Sequence, residues 1–405
     1  MNCRVCDVQL IPFLSLGQMP LANAFAKAEE LPLEKKYDIS VGFCPQCFLV
    51  QLFSVVPGPE LFKSYLYFSS ISQSFLEHCK HTALYVRERF RLTPQSFVLE
   101  IGSNDGAFLQ YLKELEIPFV GIEPAKNIAK LANEKGMWTI PSFFTHEFAR
   151  RFHEEQGMQA DLVYGANVLA HVSEIVDFVQ GVKVMLKPKG SAVFEFPYGA
   201  GLLEGKFDLI YHEHVFYYSL LSLQHLFSKA DLEIYDVEFI PLQGGSLRIF
   251  AGHPGAHQIT KNIEELAKRE CKDGFDRVET YRAIEGKVRG LKSELLALLD
   301  QLKKEGKRIA AYSAPAKGMT LLNYCGIGEN YLDFIVDKSP AKQGLYTPGT
   351  HMLIHPIEKI SEDKPAYLLL LCWNLGDEVM GMEELRPFRE SGGKFIIPIP
   401  SVRLV

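Results

Sequence analysis

Three observations place this chain in the α/β class, with its parts arranged in line. Short apolar runs that read as buried strands alternate with stretches whose apolar residues recur every three or four positions. This happens first over residues 75–256 and again over 305–405. Ahead of both units stand two C-x-x-C pairs, Cys3/Cys6 and Cys44/Cys47, and a charged amphipathic stretch over 257–304 lies between them. The expected organisation is a metal-binding module over 1–74, a strand–helix domain over 75–256, a helical connector over 257–304 and a second strand–helix domain over 305–405. With 405 residues, 47% of them hydrophobic, the chain can fill several cores.

The cysteines come first. Two knuckles separated by 37 residues can bring four thiolates into a tetrahedron, and four sulfur ligands leave no open position. The expected metal is therefore a structural Zn2+. Disulfides and inert buried thiols are the alternatives; a reducing compartment and the paired spacing weigh against both. Cys79, Cys271, Cys325 and Cys372 lack such pairing and read as core or surface thiols. The start of the chain carries no signal peptide and no apolar run reaches membrane-spanning length, so a cytoplasmic protein without a membrane partner is expected. A net charge of −6, with no Lys/Arg-rich arm, gives no ground for a nucleic-acid partner. Further on, YDISVGFC is strand-like, and Tyr65, Tyr67, Ser69 and Ser70 precede a helix that starts near Ser72. Those four residues suit either helix capping and core packing or a ligand.

The stretch SFVLEIGSNDGAFL organises the central domain. Residues 97–101 form a strand, 102–106 a glycine turn and 107–115 a helix. Such a turn aims backbone N–H groups and the positive helix end at one point, where an anion or acceptor is held. Asn104 stands where a dinucleotide fingerprint would have its middle glycine, and Asn tolerates the left-handed backbone the turn requires. A second strand, 119–122, ends at Glu123, placed to bind two ribose hydroxyls. Strand 160–167 ends at Asn167 and leads into a helical passage over 168–186. A turn at 187–190 and a strand over 191–196 follow, and 232–240 with 246–253 form a closing antiparallel pair. Just past the fifth strand, FDLIYHEHVFYYS clusters Tyr211, His212, Glu213 and His214. If this segment is extended, Tyr211 and Glu213 share a face; in a helical turn Tyr211 meets His214 instead. H-x-H with one Glu is a weak metal pattern. The last domain repeats strand and helix through 307–313, the turn APAKG at 314–318, the helix 319–326, and strands at 332–337, 366–373 and 394–400. It reads as a second Rossmann-like unit in which Lys317, at a helix entrance, can pair with a diphosphate, a packing-only domain being the alternative.

Glu100-Ile101-Gly102, Glu123, the helix–LKPKG–strand passage and the two final strands resemble class I S-adenosylmethionine-dependent methyltransferases. Together with PLANAF, the second C-x-x-C followed by LVQL, and Y-x-Y-F-S-S, the whole chain resembles the nucleotide-sugar C-methyltransferases, which add a methyl group to a ring carbon beside a ketone. The resemblance implies a central class I methyltransferase domain with S-adenosyl-L-methionine at Glu100, Gly102, Ser103, Asn104, Asp105, Gly106, Glu123 and Asn167, and a structural Zn2+ at the four cysteines. The implied substrate is a 4-keto deoxyhexose methylated at C3 and carried on a nucleotide, dTDP by likeness. Its sugar would lie near Tyr67 and Ser70, and its nucleotide near Lys317, Gly318 and Asn374. The family motif Y-x-E-H falls on Tyr211, Glu213 and His214, with His214 as base and His171 lining the same pocket. The chemistry asks for such a set: the carbon must lose a proton before it attacks a sulfonium methyl, so a base near neutrality and donors for the enolate are needed. A monomer is the expected state. An NAD(P)-dependent nucleotide-sugar oxidoreductase is disfavoured because G-x-G-x-x-G is missing, and a zinc-ribbon nucleic-acid-binding protein because of the acidic balance.

Overall fold

The computed structural model describes residues 1–61, 68–241 and 245–405. Its amino-terminal module is built on β1 (Ile11–Pro20), which pairs antiparallel with β2 (Lys36–Phe43), while β3 (Val50–Leu52) adds to β2. Only the middle strand was evident from the sequence. In β1 the alternation is broken by two register shifts, between Pro12 and Leu14 and between Ser15 and Gly17, so no period of two runs through it. The helix Gln73–Phe90 starts as expected: the Ser72 hydroxyl accepts the Phe75 N–H at 3.3 Å.

The central sheet contains β4 (Val98–Ile101), β5 (Phe119–Ile122), β6 (Thr139–Ile140), β7 (Ala160–Ala166) and β8 (Leu186–Pro197). After the short β9 (Phe216–Tyr217), which joins β3 instead, β10 (Glu233–Ile240) and β11 (Ser246–Gly252) complete it. The order is β10-β11-β8-β7-β4-β5-β6, parallel from β8 to β6, with β10 and β11 antiparallel at one edge. All four residues of β4 are buried, as a strand covered on both faces requires. From β4 the chain moves to β5 on one side and later to β7 on the other. The carboxyl ends of β4 and β7 therefore form the switch point where open α/β sheets bind ligands.

Three local expectations need correction. Residues 187–190 lie within β8 rather than in a separate turn. Pairing with β7 jumps from Ala160–Leu186 to Leu162–Ser191, so the segment bulges out of register while the strand continues. The passage 168–186 is not one helix: a 3-10 turn, Leu169–His171, precedes the helix Ile175–Met185, because Val215 N–H bonds to Ala170 O (2.7 Å) and holds that turn under the following loop. The connector is two helices, Lys261–Asp273 and Val278–Lys304, divided at Gly274 (φ 83°), whose left-handed backbone ends the first.

The carboxyl-terminal sheet holds β12 (Ile309–Tyr312), β13 (Phe334–Val336), β14 (Ile354–His355), β15 (Tyr367–Leu370), β16 (Lys394–Ile397) and β17 (Arg403–Leu404), in the order β14-β13-β12-β15-β16-β17. The helix Ala316–Cys325 follows β12, confirming the second strand–turn–helix unit. The domains do not have separate cores. Leu14, Phe43, Leu295, Leu299, Ile309 and Leu368 share one apolar cluster, which joins β1, β2, the long connector helix and the last sheet. Among the described residues no helix is long and apolar enough to cross a membrane.

Candidate active site and metal centre

The thiol sulfurs of Cys3, Cys6, Cys44 and Cys47 lie within 4.8 Å of one another. Cys3–Cys47, Cys6–Cys44 and Cys6–Cys47 are 3.6, 3.2 and 3.8 Å apart. Tetrahedral Zn–S bonds of about 2.3 Å place sulfurs about 3.8 Å apart, so the cage fits a zinc ion. Cys3 Sγ also accepts the Gln51 Nε2–H at 3.2 Å and the Val5 N–H at 3.4 Å. Such N–H···S bonds hold the sulfur in place for a metal. Among the described residues no other group of three or more His, Cys, Asp or Glu side chains has this geometry.

At the ends of β4 and β5 the chain adopts the backbone that the sequence suggested. Gly102 (φ 72°), Asn104 (φ 48°) and Gly106 (φ 83°) are all left-handed. A Cβ on Gly102 would stand 3.3 Å from Val168 Cγ2. Glu123 spans the turn: Oε2 accepts from Asn104 N–H (3.0 Å) and Oε1 from Ala125 N–H (2.8 Å). Glu100 is buried below it with Oε2 unpartnered, and its carboxyl is pushed well above the usual range by burial and then by Glu123 and Asp105. The buried Ser103 hydroxyl is also unpartnered. These orphaned groups fit a polar ligand in the turn. Asn167 (φ 56°), at the end of β7, donates its N–H to Glu195 O at 2.7 Å. Ser70 lies at this same turn, bonding Asp105 through both hydroxyl and N–H, and Ser69 N–H reaches Asn104 Oδ1 at 2.9 Å. Tyr67 lies outside the described residues. If this turn holds S-adenosylmethionine, as the resemblance implies, Glu123→Ala weakens its binding by about 1.5–3 kcal/mol. It should also lower Tm, since two backbone N–H groups lose their acceptor. Calorimetry and thermal unfolding check both effects.

The loop past β8 takes the helical-turn alternative. His214 N–H bonds to Tyr211 O (2.9 Å), and this brings the Tyr211 hydroxyl to 2.7 Å from His214 Nε2. His214 Nδ1 is 3.0 Å from Leu209 O. A carbonyl only accepts, so Nδ1 carries the proton and Nε2 keeps its lone pair toward Tyr211. The His171 ring stands edge-on to His214 at 5.0 Å between centroids. Burial, then His171 and Lys317, hold His214 well below the ordinary imidazole value, and burial pushes His171 down to about 4, so both rings are neutral at pH 7. His212 faces the other way, donating Nε2–H to Tyr37 O at 3.2 Å. Glu213 Oε1 accepts from Asn23 Nδ2 at 2.6 Å. Asn23 lies inside PLANAF, a stretch the sequence singled out without giving this residue a role.

The lowered His171 value has a sign. A histidine whose folded value falls from 6.5 to about 4 favours folding above pH 6.5, and that stability is lost as pH drops toward 4. The Tm of His171→Gln is expected to fall less than that of wild type across this window. An equal fall in the two proteins would contradict the assignment.

On the facing edge of the carboxyl-terminal domain, Lys317 Nζ donates to Asn374 Oδ1 and lies 4.8 Å from the centre of the Trp373 ring. Burial lowers Lys317 to about 8, and Asp208 opposes the shift. Gly318 is a packing residue here: a Cβ would stand 2.7 Å from Leu371 Cβ. Asp208 and Trp373, joined by a hydrogen bond, were not flagged by sequence reading. A void of about 10 Å³, room for about one water, adjoins His214 between Ala170, Leu209 and Tyr217. The larger groove of 690 Å³ runs past His146, Lys183, Lys229 and His253 at the amino ends of β7 and β8, on the far side from these groups.

Three family models match in succession: a zinc binding domain over residues 3–62, a methyltransferase domain over 75–237 and a C-methyltransferase C-terminal domain over 241–400. The C-methyltransferase NovU of Streptomyces niveus is 35% identical over 408 residues, which covers 100% of this chain and 96% of NovU. Among solved structures, magnesium protoporphyrin IX methyltransferase of Synechocystis PCC 6803 with bound SAM is 11% identical over 44% of this chain and 79% of its own, with a TM-score of 0.34. The CcbJ methyltransferase of Streptomyces caelestis is 15% identical over 43% of this chain and 89% of its own, also with a TM-score of 0.34.

Proposed function

This chain belongs to the S-adenosylmethionine-dependent C-methyltransferases, and from that premise we propose that it methylates C3 of a nucleotide-linked 4-keto-deoxyhexose, carried on dTDP, by base-assisted enolisation. The observation that carries this reading is His214: a buried, neutral imidazole with Nδ1–H tied to a backbone carbonyl and Nε2 beside a phenol. That arrangement suits removal of a weakly acidic proton next to a ketone.

When bound, S-adenosylmethionine supplies an electrophilic methyl group at the Gly102–Gly106 turn. His214 Nε2 takes the C3 proton, and the Leu209 carbonyl steadies the imidazolium that forms through Nδ1–H. Tyr211, released from Nε2, donates its hydroxyl to the developing enolate oxygen. Glu213, held by Asn23, keeps the loop in place. Lys317 and Asn374 would meet the nucleotide on the carboxyl-terminal domain, and Ser70 would border the sugar.

Incubating the protein with S-adenosylmethionine and, in turn, dTDP-, GDP- and CDP-linked 4-keto sugars tests the reading. The expected product carries one added methyl on C3, seen by NMR as a quaternary carbon, with dTDP preferred. A methyl on oxygen, or no turnover with any of the three, would overturn it.

A further inference from the structure

The 3-10 turn Phe207–Leu209 comes just before the Tyr211–His214 segment, yet it is seated on the carboxyl-terminal domain. Phe207 is fully buried, its ring edge-on to Tyr324 of the helix Ala316–Cys325 at 5.0 Å between centroids. Asp208 is fully buried as well, and its Oδ2 accepts the indole Nε1–H of Trp373 at 2.5 Å. The next residue, Leu209, presents the carbonyl that holds His214 Nδ1. A bond between residues 165 positions apart thus ends one residue from the group that sets the imidazole tautomer.

A carboxylate is an expensive choice for this position. Burial raises Asp208 to about 6 despite the opposing charge of Lys317, and Oδ1 has no partner. An apolar side chain would avoid that cost. What the carboxylate adds is one directional acceptor for the indole, and with it a fixed place for the turn.

We propose that Asp208 and Trp373 are a positioning pair, through which the carboxyl-terminal domain fixes the Leu209 carbonyl and so orients His214. The proposal rests on His214 being the base, but its structural half does not. With the pair intact, Leu209 O accepts from Nδ1–H and the Nε2 lone pair points at Tyr211. Without it the turn can drift, the proton can redistribute between the ring nitrogens, and the lone pair loses its aim. Displacements of about 1 Å remote from the chemistry can cost up to about 100-fold in rate.

Side-chain 15N NMR of histidine-labelled full-length protein reads the tautomer without any substrate. Wild type is expected to show His214 as the Nδ1–H form. Trp373→Phe, which removes the donor, and Asp208→Leu, which removes the acceptor, should both shift it toward a mixture. Asp208→Asn keeps an acceptor for the indole and should retain the wild-type tautomer. The double variant Trp373→Phe/Asp208→Leu should lose no more than either single change, as for two halves of one contact. In turnover, Trp373→Phe is expected to lower kcat by roughly 10- to 100-fold. Thermal unfolding identifies the folded variants; if Trp373→Phe does not fold, the Asp208→Asn and Asp208→Leu pair decides. An unaltered His214 tautomer in folded Asp208→Leu would overturn the proposal. So would an equal disturbance in Asp208→Asn, which would tie the effect to charge near Lys317 rather than to the indole bond. If instead His214→Asn still exchanges the C3 proton of dTDP-4-keto-6-deoxyglucose as fast as wild type, the base assignment fails, while the tautomer result still decides the pair.

Discussion

His214→Asn is expected to turn over roughly 10²–10⁴ times more slowly than wild type, the scale of general-base catalysis, and to bind S-adenosylmethionine as before. Asparagine has nearly the right size, and its amide can still donate to Leu209 O, so the loop should keep its shape. It cannot take up a proton near neutrality. The Gly102–Gly106 turn, the proposed donor site, is built from β4 and β5 and from Glu123, none of which touches His214 in the bonds described. Binding and rate should therefore separate. A stricter readout is loss of the C3 proton to deuterated solvent, because enolisation can proceed without methyl transfer. Wild-type exchange in His214→Asn would assign the base elsewhere. His171, 5.0 Å away, would be next, whereas His212 drops behind it because its Nε2–H is committed to Tyr37 O.

Features set by short-range spacing were legible in the sequence. The paired cysteines, the Gly102–Gly106 turn, the Ser72 cap and the strand–turn–helix at Lys317 all follow from residues a few positions apart. The YHEH segment was half legible: spacing left an extended and a helical form open with opposite pairings, and the bond from His214 N–H to Tyr211 O selects the second. Contacts between distant parts of the chain were not legible. Asn23 meets Glu213 across 190 positions and Trp373 meets Asp208 across 165, and no periodicity records either meeting. The strand β1 was missed for a different reason, since its register shifts erase the alternation that marks a strand. The residues supporting the candidate base were thus the least visible ones, because they come from the domains on either side of it.

The second large effect concerns the metal. Protein purified without added metal is expected to carry about one zinc per chain, and removing it should loosen the amino-terminal module and halt turnover while S-adenosylmethionine binding persists. Structural zinc contributes on the order of 10–16 kcal/mol in isolated fingers. Here the module's sheet and the apolar core it shares with the connector helix set the loss below that. Cys3, Cys44 and Cys47 are buried in one apolar cluster with Leu99, Ile101, Val215 and Phe216. Without a cation, four clustered thiolates cannot stay charged in such surroundings. As neutral thiols they no longer tie Cys3/Cys6 to Cys44/Cys47. The strand that follows Cys47 is β3, and it pairs with β9, which begins two residues after His214, through Val50–Tyr217 and Gln51–Phe216. Gln51 also bonds Cys3 Sγ and Arg4, so the cage and the loop of the candidate base are two residues apart along one strand pairing. Loosening the module also releases Asn23 from Glu213. Hydrogen exchange should therefore rise in β1, β2, β3 and β9 after chelation, with β4 and β5 protected and S-adenosylmethionine affinity retained. Adding zinc back should restore turnover. Folded, fully active protein without zinc would refute the structural role, and donor affinity lost in step with turnover would mean that the module supports the whole fold rather than the loop of the candidate base.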